Sequence, residues 1–145
     1  MLTSVILNSP VDTLVPSPSL LGSIRAVILS EGIYDIDLLL TSFPGYRQWF
    51  IESVFGPMAS YAQFSTTAFP IRTSETRWLV IHSTGDTLVD VAQSKAIYTH
   101  LSQQYGQAAA THVKTDFDNL NGEHNDILAL DEYVNILVNF ILHDI

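Results

Sequence analysis

The stretch Arg77 to Asp90 constrains this chain more than any other. Trp78 to Ile81 is a short apolar run of β-forming residues, and Ser83, Thr84 and Gly85 supply the turn chemistry that ends it. Asp86 therefore stands just past the carboxyl end of a buried strand, where open α/β sheets collect their functional groups. A helix is expected next. Asp90 can cap its first turn and Gln93 stands three residues on, so the pair reads as a capping box. A second β-like run, Thr111 to Phe117, leads into Asn121-Gly-Glu-His-Asn-Asp126 and then a long apolar helix. The order is strand, aspartate, helix, strand, histidine, helix, which fixes the expected class as α/β.

Composition narrows the function classes. A chain of 145 residues is long enough for one domain with its own core. It is 47% hydrophobic and only 14% charged, which suits a sheet buried between helices, or a piece of a larger protein whose cut face is normally covered. A net charge of -9 with six Lys and Arg residues argues against nucleic acid and against an anionic membrane surface. Without cysteine there is no disulfide framework, thiolate metal site or cysteine nucleophile. The first residues lack a basic segment before their short apolar run, so no signal peptide is expected. No run approaches the roughly 20 apolar residues of a membrane span. A cytoplasmic location is the remaining expectation.

In chain order, Val5 to Leu7 has strand character, and Pro10, Pro16 and Pro18 with several serines make the rest of residues 1–23 an unassigned linker. Ile24 to Leu29 is a buried-strand candidate closed by Ser30, Glu31 and Gly32. A short helix capped by Asp35 should end before Pro44. Tyr46 to Phe55 reads as an amphipathic helix with Tyr46, Trp49, Phe50 and Val54 on one side, stopped by Gly56 and Pro57. Residues 58–74 have no clean period, and the span 35–74 is expected to be a cap insertion. Helices are expected over 91–105 and 131–143, the latter apolar on most sides and so packed tightly. The expected sheet has three parallel strands, near 25–30, 78–82 and 111–117, in that order. Right-handed connections place both late helices on the same face.

Several elements occur together and in order: Glu31-Gly-Ile-Tyr-Asp35, Pro44-Gly-Tyr46, Val54-Phe-Gly56, His82-Ser-Thr-Gly-Asp86 with Val89-Asp90, and Gly122-Glu-His124-Asn-Asp126. Over residues 24–145 they resemble the C-terminal part of an α/β-hydrolase, similar to fungal-type kynurenine formamidase (arylformamidase). The resemblance implies a partial α/β-hydrolase domain and hydrolysis of an aryl formamide, N-formylkynurenine to kynurenine and formate in tryptophan catabolism, without a cofactor. It implies Asp86 and His124 as the acid and base of a triad. The family's Gly-x-Ser-x-Gly elbow and His-Gly-Gly oxyanion motif are absent, and both lie upstream in the family. The expectation is thus a truncated or mis-spliced product, inactive alone, with residues 1–23 foreign to the family. A short-chain carboxylesterase fragment, or a non-catalytic pseudoenzyme or interaction module, is the alternative.

The chemistry explains the residue types. An imidazole titrates near neutrality and can take a proton from a nucleophile and return it to a leaving amine, and a carboxylate on its far nitrogen fixes the tautomer. Singly, Asp86 is an ordinary turn aspartate and His124 an ordinary loop histidine. Their ordered placement after successive strands is what favours the pair. Ser30 and Ser83 each have a glycine two residues on, but Ile28 and Ile81 crowd the position where an elbow needs its first glycine. Both read as strand-end hydroxyls. His82 reads as a packed histidine, and with His100, His112 and His143 it shows no metal-ligand spacing, so no metal is expected. Tyr34, Tyr46, Trp49, Phe50 and Phe55 read first as cap core and second as the wall of an aromatic pocket. Asp116, Asp118 and Glu123 read as a solvated loop. The expected partner is a small aryl formamide or ester, with self-association through an exposed sheet edge.

Overall fold

The computed structural model describes residues 2–10 and 15–145. Residues 11–14, part of the expected linker, lie outside the described residues. The elements in order are α1 (Leu2–Ile6), α2 (Pro18–Ser23), β1 (Ala26–Ser30), α3 (Ile36–Ser42), a π-turn (Arg47–Ile51) continuing into α4 (Glu52–Phe55), β2 (Arg77–Ile81), α5 (Val91–Tyr105), α6 (Ala109–His112), β3 (Val113–Asp116) and α7 (Asp131–His143). The strands form one parallel sheet in the order β1-β2-β3. This is a mixed α/β architecture with β2 at the centre. Among the described residues no helix is long and apolar enough to cross a membrane.

The unbroken apolar run of β2 has a direct cause: both of its faces are covered. Trp78 and Val80 pack with Leu29, Val113 and the α5 residues Ile97 and Leu101. Leu79 and Ile81 point the other way, onto Leu120, Ile127 and Phe140 of α7. Period-2 alternation sends successive side chains to opposite faces, and each large side chain buried this way stabilises the fold by about 1.5–3 kcal/mol. Helices α5 and α7 therefore lie on opposite faces of the sheet, not the same one. The right-handed rule governs a helix that leads from one parallel strand to the next, which α5 does. Helix α7 comes after β3 and packs on the face that α5 leaves open.

Other expectations need correction. Residues 2–6 are helical, and only Leu7 makes a strand-like contact, an antiparallel bridge to Ile71. Strand β3 begins at Val113 because Ala109 to His112 close a last helical turn. In the π-turn the wider helical period turns Ile51 inward, while Trp49 and Val54 are 71% and 67% exposed. Helix α7 buries one side, through Phe140, and leaves Val134, Val138, Ile141 and Leu142 exposed. Its composition predicted a wider contact than the sheet edge offers.

The Asp90–Gln93 capping box does not form. Asp90 occupies the N-cap position of α5, but its side chain accepts from the Ser42 hydroxyl rather than from the helix. Gln93 is fully buried and reaches across to the segment before α3. Its Oε1 accepts from Tyr34 N and Asp35 N, both at 2.8 Å, and its Nε2 donates to Asp35 O at 2.8 Å. Asp35 caps α3 as expected, accepting from Leu38 N at 3.0 Å. Beneath the sheet, Tyr105 Oη accepts from Trp78 Nε1 at 3.0 Å and donates to Thr76 O at 2.6 Å, which satisfies the indole in the core.

Candidate active site

At the carboxyl end of the sheet the loops after β2 and β3 are joined by several contacts. Thr84 donates twice to Leu120 O, from its backbone N at 2.9 Å and its Oγ1 at 3.1 Å. Ser83 Oγ donates to Gly122 O at 2.6 Å, and Thr87 Oγ1 donates to Glu123 Oε2 at 2.7 Å. Gly85 passes so close to the second loop that only glycine fits there. These contacts bring Asp86 and His124 to the same place, although 38 residues separate them.

Asp86 folds its own turn. Its Oδ1 accepts from Leu88 N at 2.8 Å and Val89 N at 2.9 Å, an arrangement that aspartate makes readily in turns. This leaves Oδ2 free to face His124, whose Nδ1 lies 2.7 Å away. The Asp86 side chain is fully buried, while that of His124 is 27% exposed. An ionised carboxylate only accepts, so Nδ1 carries the ring proton and Nε2 keeps its lone pair. The arrangement is that of a base with its orienting acid.

A third residue, Glu31, joins them. It follows β1, is 3% exposed, and holds a left-handed backbone with φ of 49°. Its Oε1 accepts from Ser83 N at 3.0 Å and its Oε2 lies 3.8 Å from His124 Nδ1. Burial pushes the Glu31 carboxyl above the ordinary carboxylate range, opposed by the Ser83 N–H; Asp86 adds to the rise and His124 opposes it. Glu31 opens the Glu31–Asp35 motif, and the sequence alone assigns it no function. Its signal was the one that marked Asp86: a carboxylate at the carboxyl end of a buried strand.

His82 is buried and packed, as expected. Its Nδ1 is 2.9 Å from Ser94 Oγ and its Nε2 is 3.9 Å from Asp86 Oδ2. Burial lowers its pKa, against the pull of Asp86. Glu31, His82 and Asp86 place ligand-type atoms within 4.8 Å of one another, so this is where a metal ion would find donors. Each group is already engaged, however: Glu31 by Ser83, His82 by Ser94, and Asp86 by two amides and His124. These bonds, to backbone amides and to side chains, engage at least one atom of each group.

Ser83 lies in the middle of this cluster, but its hydroxyl is committed to Gly122 O and also accepts from Gly85 N at 3.2 Å. Ser30 ends β1 opposite Ile81. No hydroxyl of a described residue bonds His124 Nε2. His100 is held on Phe69 O at 2.7 Å and His112 stacks on Tyr105, both away from the site. Tyr34 packs in the core, its phenol accepting from Gly32 N, while Tyr46 gathers Phe43, Trp49 and Phe50 around it. Phe55 packs with Tyr61 and Phe64. Asp116 accepts from Asn119, and Asp118 is exposed. A cleft of about 490 Å³ adjoins the site, with His82, Ser83, Asp86, Lys95 and Phe117 among its walls. Comparison with protein-family models, curated proteins and solved structures gives no match for this chain.

Proposed function

We propose that this chain carries the acid and base of a serine-hydrolase catalytic apparatus, with an aryl formamide such as N-formylkynurenine as substrate. The observation that carries the reading is the 2.7 Å contact between Asp86 Oδ2 and His124 Nδ1, made by a buried carboxylate and a part-exposed imidazole at the carboxyl end of a parallel sheet. In the proposed reaction His124 Nε2 takes the proton of a nucleophilic hydroxyl as the hydroxyl attacks the formyl carbon. The same nitrogen returns the proton to the aryl amine as the C–N bond breaks. A water, deprotonated in turn by His124, attacks the formyl ester; its C–O bond breaks, formate leaves, and the proton returns from Nε2 to the nucleophile's oxygen. Asp86 holds the ring and stabilises the imidazolium.

The choice of aryl formamide over ester rests on the motif resemblance alone. The nucleophile and the oxyanion donors belong, in this proposal, to a segment outside these residues, because Ser83 is committed elsewhere and no described hydroxyl reaches Nε2. That commitment favours a second reading, a non-catalytic module that keeps the acid–base pair as structure. The test is co-expression with an α/β-hydrolase N-terminal half bearing Gly-x-Ser-x-Gly, followed by assay of formate release. Activity that His124→Ala abolishes, and that Asp86→Asn reduces by about 10⁴-fold, supports the hydrolase reading. A stable complex with no His124-dependent turnover supports the module.

A further inference from the structure

Glu31 takes no part in the proton transfers above, yet it is more deeply buried than His124 and approaches the same nitrogen. Its backbone conformation is one that residues with a Cβ rarely adopt, and glycine would enter it without penalty. Strain of this kind persists where the side chain is held by its surroundings. Here Oε1 takes the Ser83 N–H, Oε2 lies 3.8 Å from His124 Nδ1, and the carboxyl comes within 4.8 Å of the Asp86 carboxylate. Two carboxyls in one buried site repel when both are ionised, and a single proton between them turns that repulsion into a bond.

We propose that Glu31 is a positioning residue for the His124 base: its carboxyl bonds Asp86 and holds that carboxylate against Nδ1 of His124, so that the imidazole keeps one tautomer with Nε2 bare. The proposal rests on reading Asp86 and His124 as an acid–base pair and adds the group that fixes the acid. The groups facing Glu31 come from several elements. Asp86 comes from the loop after β2, His124 from the loop after β3, and the Tyr34 phenol from the segment before α3. His82 and, behind it, Asp90 complete the shell on the α5 side, with Lys95 and Asp118 further out on the wall of the adjoining cleft. Glu123, on His124's own loop, is turned away to Thr87. Among the described residues Asp86 has no Arg or Lys as a bonding partner, so a bond from Glu31 would be a second side-chain tether for it besides the imidazole.

Two variants separate this from a purely structural part. In Glu31→Gln the amide oxygen can accept from Ser83 N–H and the amide N–H can donate to Asp86, reproducing the protonated arrangement without titrating. Glu31→Leu keeps the bulk and removes both bonds. The experiment is ring ¹⁵N–¹H and carboxyl ¹³C NMR on the full chain and both variants, between about pH 4 and pH 9. The wild type and Glu31→Gln are expected to show a single Nδ1-protonated tautomer of His124, and Glu31→Leu a mixture. The Asp86 carboxyl carbon is expected to carry an inflection from Glu31 that Glu31→Gln removes. The proposal is overturned if that inflection survives in Glu31→Gln, and that arm decides alone should Glu31→Leu not fold. It is also overturned if folded Glu31→Leu keeps one tautomer. A single Nδ1-protonated tautomer in all three proteins leaves the acid–base pair intact and removes only Glu31. An Nε2-protonated His124 in the wild type removes the pair itself.

Discussion

Gly85 and Asn121 are in such close contact that a β-carbon at position 85 would stand 2.1 Å from the Asn121 carbonyl oxygen. This approach joins the loop that carries Asp86 to the loop that carries His124. Gly85→Ala must push the two backbones apart, and backbone yields less readily than the tip of a side chain. The expected loss is about 2–3 kcal/mol in urea unfolding. The hydrogen-bonded Nδ1 proton of His124 should disappear from the NMR spectrum of the variant while the signals of β1 and β2 hold their positions. A variant as stable as the wild type, with that proton retained, would show that the loops are not coupled here.

Gln93 does for the segment before α3 what a capping residue does for a helix, at a distance of 58 residues. Gln93→Met keeps the length of the side chain and removes all three hydrogen bonds. Two buried N–H donors lose their acceptor, so the expected loss is about 2–4 kcal/mol. Urea unfolding measures it. An unchanged midpoint would mean that solvent reaches Tyr34 N and Asp35 N.

The same residue shows where sequence reasoning stopped. The spacing of Asp90 and Gln93 fits a capping box, but a local pattern cannot reveal that a distant backbone has unsatisfied donors. The strands and their order were legible because β2 is apolar on both faces and turn residues follow it. Asp86 and His124 were legible from their position after those strands, and the structure brings them into contact. Glu31 was not: a carboxylate after a strand is usually solvated, and only the folded loops bury it. Nor could the sequence divide the helices between the two faces of the sheet. The helical period of residues 46–55 misplaced Trp49 and Val54, because the π-turn from Arg47 to Ile51 has a wider period and shifts the phase within it and after it.

Stability should fall between mildly acidic and neutral pH through Glu31. Burial raises its pKa in the fold above the ordinary 4.5, so the folded state holds a proton that the unfolded chain has released. Its contribution is fully present below the unfolded pKa and is lost as pH rises through the folded one. His82 acts in the opposite sense. Burial lowers its pKa below the ordinary 6.5, so its contribution is present above that value and fades as pH falls. Glu31→Gln removes only the first trend. Its stability relative to the wild type should rise as pH increases, measured by urea unfolding across the range. A constant difference would show that Glu31 has the same proton affinity folded and unfolded.

The exposed apolar surface predicts self-association. On the outer side of β1, among the described residues, no strand pairs, and Ile28 is 36% exposed there. Val138 and Leu142 of α7 are 43% and 69% exposed, one turn apart on the same stripe. An unprotected edge and an apolar stripe both invite a second chain. Sedimentation velocity should show mass growing with concentration. Ile28→Lys should weaken association if the strand edge carries it, and Val138→Glu if the helix does. A monomer at every concentration would refute both.

Ser83 sits beside the acid–base cluster, its backbone N–H bonded to Glu31, and its chemistry can be forecast from its bonds. Its Oγ donates to Gly122 O at 2.6 Å, so its proton points at a carbonyl and not at an imidazole. Its backbone N–H is taken by Glu31 and its oxygen accepts from Gly85 N–H, so turning it toward His124 would break contacts in both loops. It is 1% exposed, which leaves no approach for a phosphorus electrophile. A serine-directed fluorophosphonate should therefore leave the chain unlabelled after prolonged incubation, as read by intact mass and peptide mapping. Ser83→Ala should keep that result and cost about 1–2 kcal/mol of stability through the loss of the Gly122 bond. Stoichiometric labelling mapped to Ser83 would place a nucleophile within this chain. The acid–base pair would then act on a hydroxyl of its own.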